Sequence, residues 1–236
     1  MTGILAIETA TEACSVALFR DGHYMQRHAV APRRHSHIVF AMLQELLPSG
    51  DLRRHGINAI AYGCGPGSFT GLRIAASAVQ GLAYASGLPA LAVSTLAGQA
   101  QTALRSGLVD GGATVLSVLD ARIDEIYSAV YTFEEGLATL RSGPAVCAPG
   151  QLELPADCAS LCAVGSGYQL LAELPPGVRT RVTTAAAQVL PEARDLIPLA
   201  LAQWRRGEQQ SPQQVQPVYV RNDVRWKKLA EQGKRS

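Results

Sequence analysis

At 236 residues the chain is long enough for one large core or two small ones. Hydrophobic residues make up 47% and charged residues 17%, the balance of a soluble globular protein, and no apolar run approaches a membrane span. The net charge of +2 is uneven: six of the 21 Lys and Arg but only two of the 19 Asp and Glu lie from Val215 onward. The tail therefore carries +4 and the body −2, which suits a contact with RNA or a solvated terminus equally well. Five scattered cysteines without a C-x-x-C spacing point to reduced thiols in a cytoplasmic protein rather than a disulfide or zinc framework.

In chain order, residues 1–20 show neither a basic start nor a cleavage site, and the fold is expected to begin at once. Two apolar runs, Ile4 to Ile7 and Cys14 to Phe19, flank a polar turn that begins at Glu8, which predicts a hairpin. The segment from Ser36 to Leu47 reads as a helix that is apolar nearly all round (Ile38, Val39, Phe40, Met42, Leu43, Leu46, Leu47). Such a helix is buried on two sides or lies in an interface. His35 and His37, two residues apart, point to different faces of a helix, so no metal site is expected from them.

The strand from Ile57 to Tyr62 leads into G-C-G-P-G-S-F-T-G-L-R, residues 63–73. This loop fits neither phosphate template. A P-loop needs a lysine after its last glycine, yet the lysines of this chain are Lys227, Lys228 and Lys234. The spacing of Gly65, Gly67 and Gly71 misses the dinucleotide fingerprint as well. A tight strand-to-helix turn is the plainer reading. Cys64 could serve as a nucleophile only with a base drawn from the first quarter of the chain, because no histidine follows His55.

From Phe69 to Ala85 a helix is expected, with Gly71, Ala75, Ala78, Leu82 and Ala85 forming a small-residue face that permits close helix packing. Residues 106–112 form a flexible join. Residues 115–131 then repeat the opening pattern: an apolar strand ends on Asp120, turns, and returns from Ile126 to Tyr131. A strand that ends in Gly165 and Gly167 echoes the one that ends in the first glycine loop, which makes a weak internal duplication. Alternating strands and helices predict a mixed α/β sheet in each half. A last helix from about Pro191 to Arg206 should return to the first half, kinked at Pro198.

Two ribonuclease H-like halves, each opening with an acid-tipped hairpin, resemble the actin, sugar-kinase and heat-shock-chaperone ATPase superfamily. Within it, I-L-A-I-E-T-A-T-E-A-C-S-V-A-L, the glycine loop, L-P-E-A-R-D-L-I-P-L-A and P-V-Y-V-R-N-D-V-R-W-K-K resemble the TsaB family, over nearly the whole chain. The resemblance implies an α/β fold of two lobes with a degenerate nucleotide site, divided as 1–108, 109–190 and a return helix with a basic tail over 191–236. The superfamily's first phosphate hairpin usually reads D-x-G-T, whereas here it is Glu8-Thr9-Ala10-Thr11, and Asp120 to Glu125 contains no glycine. Gly165-Ser166-Gly167 is a thin remnant of an adenosine loop.

The resemblance further implies a non-catalytic scaffold in the complex that threonylcarbamoylates tRNA adenosine beside the anticodon. It implies no cofactor, and catalysis in a TsaD paralogue. Partners would be that paralogue as a heterodimer, a second copy when isolated, a TsaE-type ATPase on the assembled complex, and tRNA through the complex, with no membrane. The implied interface is Ile38, Met42, Leu46, Gly71, Ala75, Ala78 and Leu82, so that bulk at Ala75 or Ala78 should break assembly and spare the monomer. Gly63, Gly65, Pro66, Gly67, Ser68, Phe69, Thr70 and Arg73 would position it. Arg221, Arg225, Trp226, Lys227 and Lys228 would meet tRNA or a protein, and truncation after Gln216 should leave a folded body. The rival is a superfamily enzyme, an ATP-dependent phosphotransferase or a metal-dependent glycopeptidase, by analogy alone. The role of Asp120-Ala121-Arg122 stays open between a partner contact and a capped turn.

Overall fold

The computed structural model describes residues 2–186 and 188–221. The chain opens with β1 (Gly3–Glu8), β2 (Ala13–Arg20) and β3 (His23–Val30), followed by α1 (His35–Leu46), β4 (Ile57–Gly65), α2 (Phe69–Ser86) and β5 (Ala90–Ser94). Helix α3 (Thr95–Arg105) leads to β6 (Val115–Arg122), β7 (Glu125–Glu134), β8 (Leu137–Cys147) and β9 (Leu161–Val164). The short α4 (Pro176–Arg179), β10 (Val182–Ala186) and α5 (Ala193–Arg206) complete the order.

Two five-stranded sheets result, ordered β3-β2-β1-β4-β5 and β10-β9-β6-β7-β8. Taken from the other edge, the second order reproduces the first, strand for strand. In each, the first two strands pair antiparallel and the first pairs parallel with the fourth. The duplication that the sequence carries only as a pattern is thus complete in the topology.

β1 shows why its sequence does not alternate. Leu5 and Ile7 enter one core with Val16, Ile60 and Tyr62 beneath α1 and α2. Ile4 and Ala6 enter another, with Ala17, Ala59 and Ala61 beneath α3 and α5. A central strand covered on both faces needs apolar residues at every position. Each large side chain fully buried there contributes about 1.5–3 kcal/mol. Four alanines on the second face leave room for α3 and α5 to approach, and α3 also packs on the second sheet through Val115, Leu119 and Cys162.

Helix α3 joins the lobes with buried polar groups. Gln99 donates to the Val189 carbonyl at 2.8 Å and accepts from the Ser117 hydroxyl at 2.5 Å. Thr102 and Arg105 donate to Asp195 of α5, each at 2.7 Å. Helix α5 starts at Ala193 rather than Pro191 and runs as one element through Pro198 to Arg206.

Candidate functional site

β1 ends on Glu8, whose side chain is fully buried. Its carboxylate accepts from the Ala10 amide at 2.6 Å and from the Thr95 hydroxyl at 3.2 Å. A methyl group added at Gly63 would strike this carboxylate, so the first glycine of the loop is the roof over Glu8. Burial pushes the carboxyl up to about 7, against the downward pull of its hydrogen bonds. Burial, reinforced by Glu8, likewise pushes Cys14 and Cys64 up to about 12. Both sulfurs stay protonated thiols near neutral pH, which gives Cys64 no nucleophilic character there.

The rest of the loop locks onto the β1–β2 turn. The Ser68 amide donates to the Ala10 carbonyl at 2.7 Å, and the Thr9 hydroxyl donates to the Gly71 carbonyl at 2.7 Å. A side chain at Gly67 would meet the Ala10 carbonyl oxygen at 2.6 Å, and one at Gly71 would strike the Thr9 carbonyl. Ser68 caps α2 by accepting from the Gly71 amide at 3.4 Å. Gly63, Gly65 and Pro66 are buried, while Ser68, Phe69, Thr70 and Arg73 face solvent. These glycines therefore serve the approach of one backbone to another, and the turn they hold fixes where α2 starts.

After β9 the second glycine pair is closed in the same way. A side chain at Gly165 would strike the Val118 carbonyl and Gln99, and one at Gly167 would strike Val118. Asp120 caps its own turn, accepting from the Arg122 amide at 2.7 Å and pairing with the Arg122 guanidinium at 3.1 Å. That turn holds Arg122, Ile123 and Asp124 in the left-handed region at φ of 65°, 55° and 57°. Nearer the first lobe, His35 bonds the Ala13 carbonyl at 3.1 Å, consistent with a helix-start histidine. Among the described residues no cluster of three His, Cys, Asp or Glu side chains could hold a metal ion, and no helix is long and apolar enough to cross a membrane.

Several residues expected at an interface are buried within this chain itself. Met42, Leu46, Gly71, Ala75 and Ala78 are buried in the first core, under the chain's own helices. Gly71, Ala75 and Ala78 of the small-residue face are turned inward, where α2 crosses the β1–β2 turn so closely that a side chain at Gly71 would strike the Thr9 carbonyl, whereas Ala85 is exposed. Ile38 and Leu82 are half-buried at its margin. Helix α1 buries one apolar face inward, while its outward face still carries Phe40, 56% exposed. The outward face of α2 carries Ser77, Gly81 and Tyr84, the last 74% exposed.

The segment from Gln216 to Arg221 straps the two lobes together, which the sequence does not announce. The Tyr62 hydroxyl donates to the Gln216 carbonyl at 3.2 Å, and the Val218 amide donates to the Cys64 carbonyl at 2.8 Å. Arg221, expected free for tRNA or a partner, instead pairs with Glu125 and donates to the Ala121 carbonyl at 3.2 Å. The opposite charge at Glu125 and an open backbone acceptor capture it. Arg225, Trp226, Lys227 and Lys228 lie outside the described residues.

Residues 28–189 match the family model TsaD, tRNA N6-adenosine threonylcarbamoyltransferase. The chain is 39% identical over 230 residues to the tRNA threonylcarbamoyladenosine biosynthesis protein TsaB of Escherichia coli, covering 96% of this chain and 97% of that protein. It is 31% identical to the Haemophilus influenzae protein of the same name, covering 96% of each. Among solved structures, YeaZ from Pseudomonas aeruginosa superposes with a TM-score of 0.85 at 40% identity, over 93% of this chain and all of that one. A second Pseudomonas aeruginosa structure, described as an uncharacterized protein with similarity to peptidase YEAZ, gives the same TM-score of 0.85 at 39% identity over 94% of this chain and all of that one. With near-complete coverage in sequence and in structure, the chain belongs to the TsaB family.

Proposed function

We propose that this chain acts in tRNA threonylcarbamoyladenosine biosynthesis as a non-catalytic scaffold that pairs with a TsaD paralogue. The observation that carries the reading is the closure of the glycine loop on the β1–β2 turn. Where a nucleotide-binding relative would offer backbone amides to phosphate, the Ser68 amide is bonded to Ala10 and an uncompensated acid, Glu8, lies below. The Ser68 amide is thus taken from an incoming phosphate, and an ionised Glu8 would repel one.

What remains for α1 and α2 is their outward surface. Phe40, Gly81 and Tyr84, with Ile38 and Leu82 at the margin, give large rings beside small gaps, the relief that lets helices of two chains interlock. The partner is the TsaD paralogue, or a second copy of this chain when it is isolated. A TsaE-type ATPase and tRNA join the assembled complex, and this work is done in the cytoplasm.

The test is co-expression with the TsaD homologue of the same organism. The expected result is co-elution of the two chains and threonylcarbamoyl transfer to tRNA only when both are present. Transfer by either chain alone at the full rate, or failure of the two to co-elute, overturns the reading.

A further inference from the structure

Phe69, Arg73 and Tyr219 form a cluster on the outside of the first lobe that the scaffold role leaves unused. Phe69 and Tyr219 are 57% and 46% exposed, with ring centroids 5.7 Å apart. The Arg73 guanidinium carbon stands 3.8 Å above the Phe69 ring, and its Nε donates to the Tyr219 hydroxyl at 3.2 Å. One helical turn brings Phe69 and Arg73 together, and the strap delivers Tyr219. Among the described residues no carboxylate pairs with Arg73. A flat cation is therefore fixed beside two half-open aromatic rings, with no counter-charge among the described residues.

A flat π-faced group joined to an anion complements that arrangement, because a base stacks on rings and guanidinium planes while a phosphate meets the cation. Charge selects a strand over an isolated nucleotide. Beyond Arg221 the sequence adds Arg225, Lys227, Lys228, Lys234 and Arg235 against Asp223 and Glu231, a net +3 that begins a few residues from Tyr219. A polyanion seated on the cluster gains from this charge, whereas a lone nucleotide gains little. An acidic peptide would match the charge but leave the two ring faces without a stacking partner.

We propose that Phe69, Arg73 and Tyr219 are a stacking platform for an unpaired nucleotide of an RNA strand. The inference deepens the proposed tRNA role by giving this subunit its own RNA contact.

The test uses the full-length chain and a fluorescein-labelled twelve-residue oligoadenylate, read by fluorescence anisotropy at low and moderate salt, with thermal melting as the folding check. Phe69→Leu and Tyr219→Leu should each weaken binding about tenfold. Arg73→Gln should weaken it and lower the slope of log affinity against log salt by about 0.7, whereas Arg73→Lys should weaken binding but keep the slope. The same strand annealed to its complement should be insensitive to Phe69→Leu, and AMP should not compete. Unchanged affinity in Phe69→Leu and Tyr219→Leu overturns the platform, and so does competition by AMP as effective as that of the oligomer. Loss of TsaD co-elution by Phe69→Leu with oligoadenylate affinity intact also overturns it and makes the cluster a protein contact. Failure of the wild-type chain to co-elute with TsaD would strike the scaffold reading alone, because oligoadenylate binding is measured without TsaD.

Discussion

Glu8 is a buried acid with no cation paired to it among the described residues, and its position makes stability depend on pH. Its native value of about 7 lies above the 4.5 of a free carboxyl, so between these values the folded chain binds more protons than the unfolded one. Stability should therefore fall as pH rises from about 4.5 to about 7 and level off above, by about 3 kcal/mol at most. In Glu8→Gln the amide oxygen still accepts from Ala10 and the amide nitrogen can donate to Thr95, while the charge is gone. Urea melts at pH 5 and pH 8 should show this loss in the wild type and its absence in Glu8→Gln. An equal pH dependence in both proteins would place the titrating group elsewhere.

At the scale of elements, α2 has two faces with opposite tolerance. Ala78 is 6% exposed within the core, so Ala78→Arg should destabilise the monomer by about 3 kcal/mol or more through overpacking and a buried charge. Gly81 faces open space, so Gly81→Arg should leave the melting temperature unchanged or raised and abolish co-elution with TsaD. If Gly81→Arg assembles normally, the outward face is not the contact. The helix and its small-residue stripe were legible in the sequence, but the direction of the stripe was not. Gly and Ala at helical spacing serve an inward or an outward close approach alike, and the carbonyl of Thr9 that decides the matter is 62 residues away from Gly71. The central strands were legible because continuous apolar runs leave few alternatives. The depth of Glu8 was not, since a polar residue after a strand reads equally well as a turn. The β6–β7 turn shows the same limit: nothing in Arg122-Ile123-Asp124 announces three left-handed residues, an arrangement that costs roughly 1–2 kcal/mol each for non-glycine residues. Ile123 is 66% exposed, so Ile123→Asn should raise stability by about 1 kcal/mol, measured by urea denaturation. Loss of stability instead would mean that its exposed side chain is held by contacts worth more than the strain.

For the whole molecule, the strap changes what a C-terminal truncation does. Ending the chain after Gln216 removes the Val218 bond to Cys64 and the Arg221 pair with Glu125, and with them the longer bonds from Arg221 to the Ala121 carbonyl and from Arg73 to the Tyr219 hydroxyl, each at 3.2 Å. The body should still fold, as the sequence suggests, but lose about 2–3 kcal/mol. This corresponds to a fall of roughly 5–10 °C in melting temperature for a chain of this size. A truncated chain that melts with the full-length protein would show that the strap is only laid against the body. The same segment sets an order on synthesis. A ribosome releases the first sheet early, yet the end of β4 receives its bonds from Gln216 and Val218, and the Ser15 hydroxyl accepts from the amide of Ala193 at 2.8 Å. The first sheet must therefore wait, with apolar strands already made, for residues that lie more than a hundred positions further along the chain. Until then the nascent first lobe is expected to expose apolar strand edges, the condition under which a folding chain is prone to aggregate.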